Sequence, residues 1–256
     1  MAAPTPSRTQ AERADQTRAR ILASAVRQFS ANGLAGARTE QIAEEAGVNK
    51  ALLYYYFKSK EDIYAAALEF VFEGARATNL ALLEAGASAG ERFLQIVLNH
   101  FDRSYSNSAL QSLIQQEMVR LHRGEEHRMA RMAAKFFRPM WDKLNEVLEE
   151  GIASGELIHA DPAQMRYAAL GANAFYFLSA PLTRLTLQID PLERGELEVR
   201  RKAAIEFLGR AIFMDREHGA RVAARVLAET PMPETDGIKP PHGKFFSMKT
   251  NEARHK

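Results

Sequence analysis

The sequence predicts an all-α protein, and three observations carry that prediction. Almost every periodic segment of the 256-residue chain repeats its apolar residues every three or four positions, which is the spacing of an amphipathic helix. No segment alternates apolar and polar residues between turn residues, as a half-buried strand would. Capping patterns such as Ser59-x-x-Asp62 and Ser88-x-x-Glu91 recur where helices are expected to begin. About nine or ten helices fit the pattern.

The first segment predicts a short disordered arm, residues 1–9, followed by one long helix. The helix is expected from about Gln10 to Ala31, because Ile21, Ala25 and Phe29 recur at every fourth position. Asn32-Gly33 is expected to end it, since both residues tolerate a left-handed backbone. Residues 1–39 contain six arginines and two acidic residues, whereas the whole chain has a net charge of only +2. The excess of positive charge is therefore local to this segment.

A tight pair of short helices follows at about residues 38–57. Thr39 is expected to cap the first of them, and Gly47 is expected to end it. Asn49 then caps the second helix after a turn of only three residues. Two short helices joined by a glycine turn form a helix-turn-helix. Ser59 caps a longer helix that is expected to run to about Glu84.

The rest of the chain predicts further helices and a weakly ordered tail. Residues 104–108 are expected to form a loop, and Pro139 a kink or restart. Asp161-Pro162 and Asp190-Pro191 both have the pattern of a capping residue followed by proline at the first helical position. The expected helices cover roughly residues 89–103, 109–122, 126–154, 162–182 and 191–213, and the tail covers residues 229–256.

Composition excludes several classes of protein. The absence of cysteine excludes disulfide scaffolds, cysteine-ligated metal centres and thiol nucleophiles. The polar N-terminus lacks the apolar core of a signal peptide, and the longest apolar stretch, Tyr167–Leu182, is too short to span a bilayer, so we expect a cytoplasmic protein with no membrane contact. No phosphate-binding glycine loop or Ser/His/Asp pattern indicates an enzyme, and no cofactor is expected. The segment His122–His127 is interpreted as a polar loop, and no metal site is expected.

The N-terminal helices resemble a known family. Residues 15–75 are similar in order and spacing to the DNA-binding domain of the tetracycline-repressor (TetR) family of bacterial transcriptional regulators. The resemblance rests on Thr17-Arg18-x-x-Ile21-Leu22-x-x-Ala25, Phe29, Asn32-Gly33, Thr39-x-x-Ile42-Ala43-x-x-Ala46-Gly47-Val48 and Leu53-Tyr54-x-Tyr56-Phe57-Lys58-Ser59-Lys60-Glu61-Asp62. It implies an N-terminal three-helix DNA-binding domain, residues 15–75, and a larger helical domain for effector binding and dimerisation, residues 76–228.

The resemblance also assigns DNA contacts to particular residues. In the family, residues just after the turn read base edges, which maps that role onto Lys50, Ala51 and Tyr55. Phosphate contacts map onto Thr39, Tyr54 and Lys60, and Lys58 lies where it could add another. Two residues depart from the family pattern: Leu52 suits a thymine methyl group, and Glu40 suits the cytosine amino group.

Aromatic, methionine and polar residues mix along the C-terminal helices. Each alone is typical of a hydrophobic core. Together they have the character of a pocket for a lipophilic or aromatic small molecule, and the family carries such a pocket in this domain. The candidate lining residues are His100, Trp141, Asn173 and Tyr176.

The segment Ala168–Leu182 is apolar on nearly every side, which indicates that it is buried both by its own core and by a partner. Family dimers form a four-helix bundle from the last two long helices of each subunit, so the resemblance implies a homodimer through residues 162–182 and 193–213. The expected contact residues are Leu170, Phe177, Ile205, Leu208 and Ile212.

The sequence therefore predicts a ligand-responsive, dimeric repressor of a pseudo-palindromic operator in double-stranded DNA. Two alternatives stay open. One is a helical ligand-binding or scaffold protein that has lost DNA binding, which predicts no salt-sensitive DNA complex. The other is an enzyme built on the helical domain, which requires a convergent pair of titratable groups.

Overall fold

A computed structural model describes residues 8–234, with side chains from Glu12 onward. Within that range the chain folds into eleven α-helices and contains no strand, which confirms the all-α prediction. The helices are α1 (Arg8–Gly36), α2 (Thr39–Glu45), α3 (Lys50–Tyr56), α4 (Lys60–Leu83), α5 (Ala89–Ser106), α6 (Ser108–His122), α7 (His127–Met132), α8 (Arg138–Ala153), α9 (Pro162–Leu187), α10 (Arg194–Ile212) and α11 (Arg216–Glu229). A π-helical turn, Ala133–Phe137, joins α7 to α8.

Local capping chemistry fixes several helix starts where the sequence predicts them. The hydroxyl of Ser59 accepts from the backbone N–H of Asp62 at 3.1 Å, and Ser88 accepts from Glu91 at 3.3 Å. Asp161 accepts from the N–H of Gln164 at 3.0 Å and Pro162 follows at the first helical position. Each capping side chain accepts a hydrogen bond from a backbone N–H in the first turn that would otherwise lack a partner.

Other boundaries differ from the prediction. Asp190 does not cap α10. Its carboxylate accepts from the backbone of Leu192 and from Arg184, which builds a turn, and Glu193 precedes the helix instead. Residues 104–108 form no loop, because α5 continues to Ser106 and Asn107 caps α6 directly.

The N-terminal prediction is partly met. The backbone leaves helical geometry at Gly33, with φ 67°, so the first helix breaks where predicted, although one more turn follows. The helix already begins at Arg8, inside the segment expected to be an arm, and the rest of that arm lies outside the described residues. So does most of the predicted tail, beyond residue 234. Helix α11 was not anticipated.

Two principal cores hold the helices together. One lies among α1, α2, α3 and α4 and continues into α6, α7 and the π-helical turn through a set of buried apolar residues: Leu110, Leu113, Met129, Met132 and Phe136. The other lies among α5, α8, α9, α10 and α11. The core of the N-terminal helices therefore extends onto helices that belong in sequence to the predicted C-terminal domain, and α4 links the two cores.

Candidate functional site

The helix-turn-helix of α2 and α3 is held rigidly on α1. The turn needs a left-handed residue, which Gly47 supplies with φ 66°, and the side chain of Asn49 then caps α3 by accepting from Leu52 N–H at 2.7 Å. Leu53 and Phe57 are buried, as the sequence predicts, and Arg18 of α1 lies over the ring of Phe57 at 5.6 Å. The inward face of α3 is thus fixed by packing.

The opposite face of α3 is open to solvent. Lys50 and Ala51 are exposed, Tyr54 is 39% exposed, and Tyr55 is 82% exposed. Such a row of polar and small side chains on a helix with an anchored back is what the major groove of DNA can accommodate. The structure therefore brings together on one face all the residues of α3 that the sequence assigns to DNA.

Polar contacts already connect several of these residues to one another. The hydroxyl oxygens of Thr39 and Tyr54 are 3.3 Å apart across the α2–α3 pair. Thr39 is the first residue of α2 and not its cap, which is Arg38, so its side chain lies beside the open helix start without capping it. Lys60 donates to the carbonyl of Ala35 at 3.1 Å, and Lys58 extends from the exposed end of α3.

Glu40 and Lys50 form an ion pair at 2.5 Å across the same surface. The hydrogen bond from Lys50 lowers the pKa of Glu40 and raises that of Lys50, so both are charged near neutral pH. Both side chains are more than half exposed, and an exposed pair of this kind holds its geometry weakly. If Lys50 contacts a base in the major groove, it must therefore give up its ion pair with Glu40.

A buried polar network joins α4, the helix that follows α3, to α6 and α7. Tyr64 of α4, fully buried, donates to Glu117 of α6 at 2.8 Å, and the guanidinium groups of Arg120 and Arg128 lie 6.0 and 5.6 Å from the centre of the Tyr64 ring. Burial and the bond to Glu117 raise the pKa of Tyr64, which keeps the phenol protonated as the donor. Nearby, Gln116 of α6 donates to backbone carbonyls at the end of α1.

Comparison with known families agrees with this geometry. A model described as "Bacterial regulatory proteins, tetR family" matches residues 21–67, and one described as "Tetracyclin repressor-like, C-terminal domain" matches residues 91–208. The chain belongs to the TetR family. The first match covers the second half of α1, α2, α3 and the start of α4, and the second covers nearly all of α5 through to most of α10.

Individual TetR relatives are most similar at the N-terminus. The HTH-type transcriptional repressor NicS of Pseudomonas putida is 45% identical over 62 residues, which covers 24% of this chain and 29% of that protein. The chain therefore matches less than a third of this relative's length. The repressor KstR2 of Mycolicibacterium smegmatis is 28% identical over 155 residues, covering 60% of this chain and 72% of that protein.

Solved structures share the fold at low identity. A putative transcriptional regulator from Saccharomonospora viridis in complex with choline superposes with a TM-score of 0.64 at 20% identity, covering 78% of this chain and all of that one. FadR from Bacillus subtilis in complex with stearoyl-CoA superposes with a TM-score of 0.55 at 22% identity, covering 74% and 96%.

The four predicted effector residues lie on α5, α8 and α9, which pack against one another. Asn173 is fully buried and donates to the carbonyl of Val97 at 3.0 Å, and Tyr176 donates to the carbonyl of Pro191 at 2.6 Å. Both polar groups are thus engaged with backbone. Trp141 is 38% exposed, at the edge of the helical body.

His100 differs from the other three because its Nδ1 atom is buried without a hydrogen-bond partner. Burial, with the nearby charge of Arg103, lowers the pKa of His100 to about 4, so the ring is neutral at pH 7. Among the uncharged side chains of the described residues, Gln95 Oε1 and Asn145 Oδ1, which the sequence does not single out, are also buried without partners. Because such atoms depend on tertiary packing, nothing in the sequence pattern distinguishes them.

The predicted dimer residues need correction. Phe177, Ile205 and Ile212 are buried inside this subunit, and Leu170 and Leu208 are partly buried against its core. They face inward because α9 and α10 turn these sides toward α5 and α11. The outward sides carry another apolar set, which consists of Tyr167, Phe175, Leu178, Leu182 and Leu185 on α9 and Val199, Phe207 and Met214 on or just after α10.

Two searches of the described residues concern other classes of site. None of the helices in residues 8–234 is long and apolar enough to cross a membrane. Within the same residues, no group of three or more His, Asp or Glu side chains is arranged to hold a metal ion.

Proposed function

We propose that the protein is a DNA-binding transcriptional regulator of the TetR family that acts in the cytoplasm as a homodimer and not as an enzyme. The observation that carries the proposal is the open face of α3, where Lys50, Ala51, Tyr54 and Tyr55 stand on a helix anchored by buried Leu53 and Phe57. In this role Lys50, Ala51 and Tyr55 read base edges in the major groove.

Phosphate contacts would flank the reading residues. Tyr54 and Thr39 offer hydroxyl groups at the start of α2, and Lys58 offers an exposed ammonium group just after α3. Lys60, which donates to the carbonyl of Ala35, offers its remaining N–H donors at the start of α4. Helix starts favour phosphate because their N–H groups lack intrahelical partners. Contacts of this kind fix the register of α3 and make binding strongly dependent on salt.

A second copy of this chain is the proposed occupant of the apolar surface on α9 and α10. The exposed residues of α9 recur at intervals of three, four or eight, so they form one stripe along the helix, and Val199 and Phe207 extend it onto α10. Two such pairs make the four-helix bundle by which family dimers form. A two-fold dimer presents two copies of α3 to successive major grooves, which calls for a pseudo-palindromic site.

The domain arrangement we propose places the DNA reader in residues 15–75 and the effector-binding and dimerisation unit in residues 76–228. Effector control follows from the packing of α4, which belongs to the reader's core and also packs against α5 and α8. A small lipophilic effector that favours a different position of α4 would change the spacing of the two reading helices and release the DNA. Relatives named as transcriptional repressors support repression as the outcome.

Selection of bound sequences from a pool of random duplexes tests this proposal. We expect the enriched sequences to contain an inverted repeat whose half-sites lie about one helical turn apart, and affinity for them to fall steeply between low and high salt. A variant with Tyr54→Ala and Lys58→Ala should recover no enriched sequence. If the wild-type protein enriches nothing at low salt, the protein is a helical ligand-binding or scaffold protein and the proposal fails.

A further inference from the structure

Four arginines are buried among the described residues: Arg92, Arg128, Arg166 and Arg201. Three of them have carboxylate partners. Arg201 forms a two-pronged pair with Asp102 at 2.7 and 2.8 Å, Arg92 pairs with Glu150 at 2.6 Å, and Arg128 lies 3.7 Å from Glu125. Pairing is the normal condition of a buried charge, because an unpaired ion loses its hydration without compensation.

Arg166 is the exception. It is 6% exposed, its Nε atom is buried without a hydrogen-bond partner, and no carboxylate of the described residues forms an ion pair with it. Its guanidinium carbon lies 4.7 Å from the ring centre of Trp141 and 4.7 Å from that of Tyr167. The two rings stabilise the cation and hold it in place, but they accept none of its N–H donors.

Neutral polar groups occur on the neighbouring helices. Asn145 lies one turn after Trp141 on α8, so it shares the helix side from which Trp141 reaches Arg166, and its Oδ1 atom is buried without a partner. Helix α5, which carries the unpartnered Nδ1 of His100, packs against both α8 and α9. The helices around Arg166 thus carry uncharged hydrogen-bonding groups whose buried atoms have no partner.

We propose that Arg166 binds the anionic head group, a carboxylate or a phosphate, of an amphipathic effector whose apolar or aromatic body packs beside Trp141. The inference deepens the proposed function, on which it rests, by naming the chemical class of its effector. A guanidinium matches an oxyanion because several of its N–H donors lie in one plane and can bind two oxygens at once. A cationic effector would be repelled by Arg166, and a neutral one would leave it unpaired.

Trp141 provides the assay, because it is the only tryptophan in the sequence and its ring touches the Arg166 guanidinium. The full chain is titrated with decanoate, decyl phosphate, 1-decanol and decyltrimethylammonium while tryptophan emission and the melting temperature are recorded. We expect the two anions to bind tenfold or more tightly than the alcohol, since a charge-assisted hydrogen bond contributes about that factor. The tighter of the two anions identifies the head group.

Three variants separate a binding role from a structural one. Arg166→Gln should lose tenfold to a hundredfold in affinity for the anions and leave 1-decanol unchanged, whereas Arg166→Lys should keep part of the preference. Arg200→Gln is the matched control, because Arg200 also has a buried, unpartnered Nε and lies over an aromatic ring, that of Tyr176 at 5.5 Å. It should bind like the wild type.

The proposal is overturned if none of the anions binds, if 1-decanol or the cation binds the wild type as tightly as the anions do, or if Arg200→Gln loses the preference as Arg166→Gln does. Should Arg166→Gln fail to fold, the wild-type comparison of anion with alcohol and the Arg166→Lys variant still decide. The selection from random duplexes tests the proposed function independently of this titration. If the protein prefers anions but binds no DNA, only the proposed regulator function fails. If it binds DNA but does not prefer anions, only the proposal for Arg166 fails.

Discussion

The phenolic hydroxyl of Tyr64 donates a 2.8 Å hydrogen bond to Glu117 Oε1 in the interior, between α4, which follows the helix-turn-helix, and α6. Glu117 is 1% exposed, and the side chains of Arg120 and Arg128 lie 3.6 and 3.9 Å from its carboxylate. Glu117 Oε2 is buried without a hydrogen-bond partner, so the donor on Oε1 carries weight, because losing it would leave the whole carboxylate buried without a hydrogen bond. The contact joins α4, the helix that follows α3, to α6.

Removing the hydroxyl of Tyr64 should therefore weaken the fold. Tyr64→Phe keeps the ring and its contacts but deprives buried Glu117 of a donor, and we expect the free energy of unfolding to fall by about 1–3 kcal/mol. Chemical denaturation measures the change. The control is Tyr55→Phe, which alters an 82% exposed side chain and should shift stability by less than about 0.5 kcal/mol. If the two variants are equally stable, the hydrogen bond between Tyr64 and Glu117 does not stabilise the fold.

The Glu40–Lys50 pair predicts opposite effects of two substitutions on DNA affinity. Glu40→Gln removes a negative charge beside the groove-reading face and releases Lys50, so duplex binding should tighten severalfold at low salt, and the gain should shrink as salt rises. Lys50→Ala should weaken binding. Fluorescence anisotropy with a labelled duplex measures both.

The control for this pair is Glu73→Gln. It removes an exposed carboxylate that pairs with Arg76 on α4, away from the reading face, and should leave affinity unchanged. A gain in Glu73→Gln equal to that in Glu40→Gln would mean that only the net charge of the chain matters.

The apolar stripe on α9 and α10 predicts which substitutions separate the subunits. Leu178 and Phe207 are 60% and 70% exposed in the single chain, and replacing both with glutamate would place charges in the bundle. We expect the dimer dissociation constant to rise about a hundredfold or more, measured by sedimentation equilibrium, with the helical content unchanged. Lys202→Glu changes an exposed residue of α10 outside the stripe and should leave the dimer intact.

Sedimentation of the double variant can also contradict the proposed interface. If the double variant sediments like the wild type, the second copy does not pack against this stripe. A wild-type protein that is monomeric at micromolar concentration would contradict the dimer altogether.

His100 predicts a loss of stability in mild acid. Burial and Arg103 lower its pKa to about 4 in the folded chain, against about 6.5 when unfolded, so between these values the unfolded chain binds a proton that the folded chain does not. The free energy of unfolding should fall as pH drops from about 6.5 to 4. In His100→Asn the part of the decline that belongs to this group should disappear. His159→Asn, which alters an exposed histidine, should retain the full decline, and urea unfolding at pH 7 and pH 5 measures all three proteins.

Local chemistry explains why much of the fold is predictable from the sequence. A capping residue and the N–H that it binds are neighbours in the chain, so Ser59, Ser88 and Asp161 mark the true helix starts. Asp190 has the same local pattern but bonds to Arg184 of the preceding helix, a tertiary contact, and the predicted start is wrong there. The same distinction holds for the open face of α3, where Leu53 and Phe57 signal the buried side by their spacing.

Tertiary packing explains what the sequence cannot supply. Helix α9 is apolar on nearly every side, so its sequence carries no signal for which side meets its own core, and the predicted Phe177 faces inward while Leu178 faces out. Arg166 presents a similar problem. A charged residue in the first turns of a helix has the pattern of a solvated one, and only the positions of Trp141 and the absent carboxylate distinguish it.

Footprinting on the DNA that flanks the protein's own gene, at about 50 and 200 mM salt, tests the central claim most directly. We expect protection of one pseudo-palindromic segment at low salt and an affinity that falls by about a thousandfold or more at the higher salt. The variant with Tyr54→Ala and Lys58→Ala should show no protection. Absence of protection at low salt, or equal protection by wild type and variant, would contradict it.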